Sequence, residues 1–99
     1  MEKDKTIIKL LEKMRVIINF SLLEIVDYWE ADLCAVGLRK SNKLVYISTH
    51  NSVKNNEESY DFDFEITDEN NKENLSIVKE GRSVSEVELI SEVRLFLEV

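Results

Sequence analysis

Residues 60–70 read YDFDFEITDEN. Tyr60, Phe62, Phe64 and Ile66 take the even positions, and Asp61, Asp63 and Glu65 take the odd ones. Successive side chains on a strand point to opposite faces, so this alternation predicts a strand over 60–67 with one apolar and one acidic face. A strand wet on one side belongs to an antiparallel sheet covered on the other. The flanking sequence must therefore supply strands to pair with it and helices to cover its aromatic side. The acidic side has four conceivable uses: a cation site, a catalytic carboxylate set, a surface for a basic partner, or a plain solvated face.

Working outward, KLVYISTH (43–50) and ADLCAVGLRK (31–40) predict a hairpin across Lys40–Lys43, with Ser41 and Asn42 as turn residues. Cys34, Val36 and Leu38 share one face of the outgoing strand, and Val45 and Ile47 face inward on the return. Gly37 marks either a bulge or a close packing contact. EIVDYW (24–29) predicts a further short strand, being β-branched and aromatic. NSVKNNEES (51–59) reads as a polar, mobile connection and DENNKEN (68–74) as a second loop. LSIVKE (75–80) reads as a last strand ended by Gly81.

Both ends predict helices. Over 5–20, Ile7, Leu10, Leu11, Met14, Ile17 and Ile18 recur at spacings of three and four, while Val16 and Ile8 fall on or near the polar side. At the other end, Ser83 stands three residues before Glu86, a capping box. Val87, Leu89, Ile90, Val93, Phe96 and Leu97 follow with helical spacing. The predicted fold is a single α+β domain over 1–99. It has an N-terminal helix, an antiparallel meander of four to five strands and a C-terminal helix, both helices on one face. The expected core includes Leu11, Met14, Ile18, Val36, Ile47, Phe62, Phe64, Ile90 and Val93.

The chain has 99 residues, 33% of them charged and 43% hydrophobic, which suits a globular domain. The net charge of −7 is concentrated. Residues 1–56 carry nine basic and seven acidic side chains, and residues 74–99 three and five. Residues 57–73 carry one and eight, an excess equal to that of the whole chain. Nucleic acid and anionic membrane both require a basic footprint, so neither is expected as a partner. No apolar run reaches the length of a membrane span, and the N-terminal residues lack a signal-peptide pattern. One cysteine permits no internal disulfide. These features predict a cytoplasmic protein.

Catalytic chemistry finds little footing. His50 is the sole histidine, and Cys34 reads as a small core residue. Gly37 and Gly81 are the only glycines, too few for a phosphate-binding loop. Asp61, Asp63 and Glu65 open like a calcium loop, but Ile66 and Lys72 stand where that loop needs Gly and Glu. Alternate residues of a strand also lie about 7 Å apart, too far to wrap one cation. The expectation is no enzyme, no metal and no cofactor.

The residues that suit binding are the acids and the aromatics. Glu57, Glu58, Asp61, Asp63 and Glu65 form the acidic stretch, with the last three as one exposed row. Asp27, Glu30 and Asp32 surround Tyr28 and Trp29, the only tryptophan. Trp29 is either core or an interface anchor. The segment VDYWEADLCAVGLRKSNKLVYIST (26–49) resembles a stretch of the small acidic immunity proteins of bacterial toxin–immunity systems. That resemblance implies a cytoplasmic inhibitor that neutralises a cognate toxin, often a basic nuclease, by covering its active site with acidic residues. The alternative is a structural or adaptor protein, a homo-oligomer among the options, whose acidic strand is merely solvated.

Overall fold

The computed structural model of the chain describes residues 2–67 and 75–99. In chain order they form α1 (Lys5–Ile17), a 3-10 turn (Phe20–Leu22), β1 (Glu24–Val26), β2 (Ala35–Lys40), β3 (Lys43–Ser48), α2 (His50–Asn55), β4 (Tyr60–Thr67), β5 (Leu75–Val84) and α3 (Glu86–Leu97). The five strands make one sheet in the order β1-β2-β3-β4-β5, each antiparallel to its neighbour. This is the expected α+β meander.

The register explains the core. Val36 lies opposite Ile47, which lies opposite Phe62; Leu38 lies opposite Val45, which lies opposite Phe64. These six form one apolar face. α1 adds Ile7, Leu10, Leu11 and Met14 to it, and α3 adds Leu89, Ile90, Val93 and Leu97. Every residue of the predicted core is buried here. Phe64 stacks on Phe96 of α3, with centroids 4.4 Å apart and planes 9° off parallel. The hairpin turn secures the far end of that helix. Lys40 Nζ donates to Leu97 O at 2.9 Å, and Lys43 Nζ to Phe96 O at 3.0 Å. Cations there satisfy carbonyls that no helical N–H reaches.

Several boundaries differ from expectation. α1 ends at Ile17 rather than residue 20, because Ile18 turns extended and buries itself while Asn19 starts the 3-10 turn. Ile17, predicted on the core face, is 48% exposed. β1 stops at Val26, and Asp27–Trp29 leave the sheet. β2 begins only at Ala35, so Cys34 is a half-buried residue ahead of the strand, not a mid-strand core residue. Gly37 is a close contact and not a bulge, since the β2–β3 register runs unbroken through it. Residues 51–55, read as part of a polar connection, join His50, read as the end of a strand, in α2, which Asn56 ends in left-handed geometry at φ 52°. The predicted loop at 68–74 lies outside the described residues.

The C-terminal half holds the most instructive difference. β5 does not end at Gly81 but continues to Val84. Tyr60 pairs with Val84 while Phe62 pairs with Gly81, so β5 carries an extra residue here, at one of its two register shifts against β4, and Ser83 sits there at φ 53°. α3 is capped by Ser85, whose Oγ accepts from Glu88 N at 3.2 Å. The sequence SVSEVE holds two overlapping Ser-x-x-Glu patterns, and the second is the cap. Val84 decides between them, because it packs against the core and keeps the strand extended past Ser83.

Candidate functional site

α1 and α3 lie on one side of the sheet; the other side, called the open face, carries neither helix, although Gly37, Leu44 and Ser48 in its middle are buried. Strand alternation and the register define its rows. One row runs Glu24, Arg39, Leu44, Glu65, Ile77; the next runs Val26, Gly37, Tyr46, Asp63, Glu80. Asp61 lies beyond them, opposite Ser48. The acids of β4 therefore share a face with the aromatic Tyr46.

Trp29 joins the same face from outside the sheet. Its chain segment folds back so that the indole lies edge-on to the Tyr46 ring, with centroids 4.7 Å apart. Gly37 makes the room: a Cβ there would come within 2.7 Å of Val26 Cγ2 and 3.0 Å of the indole. The indole is thus half-buried, part packed on the sheet and part presented to solvent. Tyr28 stands beside it at 5.8 Å, and its hydroxyl accepts from Arg39 Nη1 at 3.3 Å. The Tyr46 hydroxyl is pushed up from its ordinary pKa by burial, and the charges of Asp32, Asp63 and Asp61 push the same way. Tyr46 meets the Trp29 indole on one side and lies opposite Asp63 of β4 on the other, so the Trp29 segment and the acidic strand meet at this residue.

The acids differ in what they are free to do, and this corrects the expectation of one exposed row. Asp61 accepts from Asn51 Nδ2 at 3.1 Å and from Ser83 N at 2.9 Å. It ties α2 to the bulge of β5 and is a structural residue. Asp63 is bridged at 2.9 Å by Arg82 Nη2, which also reaches Glu80 at 4.0 Å. Glu65 differs from both: its cross-strand neighbours are the aliphatic Leu44 and Ile77. Burial holds its carboxyl above the usual glutamate range, with Asp63 adding to the shift.

The remaining candidate residues divide further. Asp27 pairs with Lys3 at 2.7 Å. Asp32 accepts from Cys34 N at 3.0 Å, a local turn contact, while Glu30 is exposed. Glu58 does not belong to the open face. Its Oε1 accepts from Glu86 N at 2.8 Å, placing a carboxylate at the positive start of α3. Glu57 is exposed between α2 and β4. Sequence reasoning missed Leu44, Tyr46, Arg39 and Arg82. Alternation held the signal for the first two, since Val45 and Ile47 point inward and leave their neighbours on the opposite face.

Fold and surface together define a small α+β protein with an exposed sheet face that is aromatic at one end and acidic at the other. Comparison with protein-family models, with curated proteins and with solved structures gives no significant match. Among the described residues, no three His, Cys, Asp or Glu side chains converge as a cation site needs. No described helix is long and apolar enough to cross a membrane.

Proposed function

We propose that the chain is a non-enzymatic binding protein of the immunity type. It neutralises a basic protein toxin in the cytoplasm by laying the open face of its sheet on it. The observation that carries this reading is the juxtaposition on that face of the Trp29–Tyr46 pair with the acids of β4. Aromatic side chains that are packed on one side and wet on the other suit a binding anchor. The neighbouring negative field suits a partner rich in Lys and Arg, and it speeds their encounter. The experiment is co-expression with the protein encoded beside this gene. An equimolar complex that weakens with salt and is lost on Trp29→Ala supports the reading. A complex indifferent to both would reject it.

The adaptor or homo-oligomer reading has an observation of its own. On the helical side, Val16, Val87 and Leu95 are largely exposed, beside the half-exposed Ile17. Sedimentation at rising concentration distinguishes the two, because self-association through that side would leave the open face free.

A further inference from the structure

Trp29 rides on residues 27–34, which lie outside every strand and helix. Their fixed path needs an external hold, and Lys3 supplies one. Its Nζ meets Asp27 Oδ1 at 2.7 Å, Asp32 O at 2.8 Å and Trp29 O at 3.2 Å. Its two carbonyl acceptors and its counter-ion all come from this one segment. The Lys3 side chain is 0% exposed and Asp27 only 27%. The neighbouring residue fastens the same strip: Asp4 N donates to Leu33 O at 2.9 Å, while Asp4 Oδ2 caps α1 through Thr6 N at 2.9 Å. Lys3 is thereby fixed to the start of a rigid helix on one side and to the Trp29 segment on the other.

We propose that Lys3 is the positioning residue of the Trp29 anchor. It latches residues 27–34 to the start of α1 and so presses the indole onto Gly37 and Tyr46. Without Lys3, the Asp32 carbonyl loses a donor, the half-buried Asp27 carboxylate loses its counter-ion, and Trp29 O keeps only Asp32 N. The remaining backbone bonds to other elements, Asp4 N to Leu33 O and Thr49 N to Cys34 O, hold the far end of the segment. The consequence for binding rests on the reading of the open face given above; the positioning itself does not.

Trp29 is the only tryptophan, so its fluorescence reports the latch directly. Lys3→Met is expected to red-shift the emission of the folded protein and to raise its acrylamide quenching constant roughly twofold, as local opening without global unfolding does. Far-UV circular dichroism is expected to stay unchanged, and Lys5→Met, at an exposed helix position, should alter nothing. Asp27→Asn removes the same charge pair and should move the emission in the same direction, which decides the matter if Lys3→Met fails to fold. A lower melting temperature with unshifted native emission and quenching would overturn the proposal, leaving Lys3 a stability residue only. With a partner in hand, Lys3→Met should speed dissociation as truncation of Trp29 does. Shifted emission with unchanged dissociation would reject the open face as the interface while the latch stands.

Discussion

Glu65 is the acid of β4 whose cross-strand neighbours are both aliphatic, and its environment makes a definite pH prediction. Its carboxyl is raised in the folded chain, so the native state holds that proton more firmly than the unfolded state. Stability must then fall as pH rises from the unfolded glutamate value through the folded one, and the penalty persists above it. Glu65→Gln should therefore raise the melting temperature at pH 7, with the gain shrinking to nothing below about pH 4. A loss of stability at pH 7 would show that the charge is stabilised where it sits. Phe64 tests the opposite face of the same strand. It is buried between Phe62 and Phe96, and Phe64→Ala should cost about 3–5 kcal/mol, read as a lowered denaturation midpoint. Gly81 bears on that core too, because a Cβ there would run into the Phe62 ring. Gly81→Ala should cost about 1–3 kcal/mol through overpacking, although its backbone conformation suits alanine.

At the scale of elements, the two overlapping Ser-x-x-Glu patterns give a sharp contrast. Ser85→Ala removes the cap of α3 and should cost about 0.5–2 kcal/mol. Ser83→Gly should be neutral or stabilising by up to about 1 kcal/mol, since φ 53° suits glycine. If chemical denaturation ranks the two the other way, the helix starts earlier and the bulge is wrong. This pair also shows how far the sequence carries. Long periodic stretches are legible: β4 runs from Tyr60 to Thr67 as alternation predicts, and the core faces of α1 and α3 follow from spacing except at Ile17 and Val87, which spacing puts with the core and the fold leaves exposed at the margins of the two helices. Ends are decided by contacts that no local pattern encodes. Val84 holds β5 extended through a second Ser because it meets the core, and Trp29 leaves β1 because Gly37 offers it a seat. Alternation placed the acids of β4 on the open face. Their division into structural Asp61, paired Asp63 and aliphatic-flanked Glu65 was illegible, because Asn51, Arg82 and Ser83 come from other elements.

The whole molecule has two unlike sides. The helical side is closed over one core, its helices fastened by Lys40 and Lys43 at one end and by Lys13 on Glu86, 3.0 Å away, at the other. The open side carries the anchor and much of the acidic charge. An anchor governs how slowly a complex parts, and a charged field governs how fast it forms. The open-face account therefore requires the two to separate on mutation. Trp29→Ala should speed dissociation and leave the salt dependence of association in place. Asp61 and Asp63 cannot be reversed without disturbing β5, so Glu65→Lys is the clean probe of the field. The decisive measurement is the association rate against ionic strength, for wild type and Glu65→Lys, with the protein that co-purifies from the native host. The account predicts slower association and a flatter salt dependence for Glu65→Lys. Identical rates and identical slopes would contradict it and leave the acidic strand a solvated face.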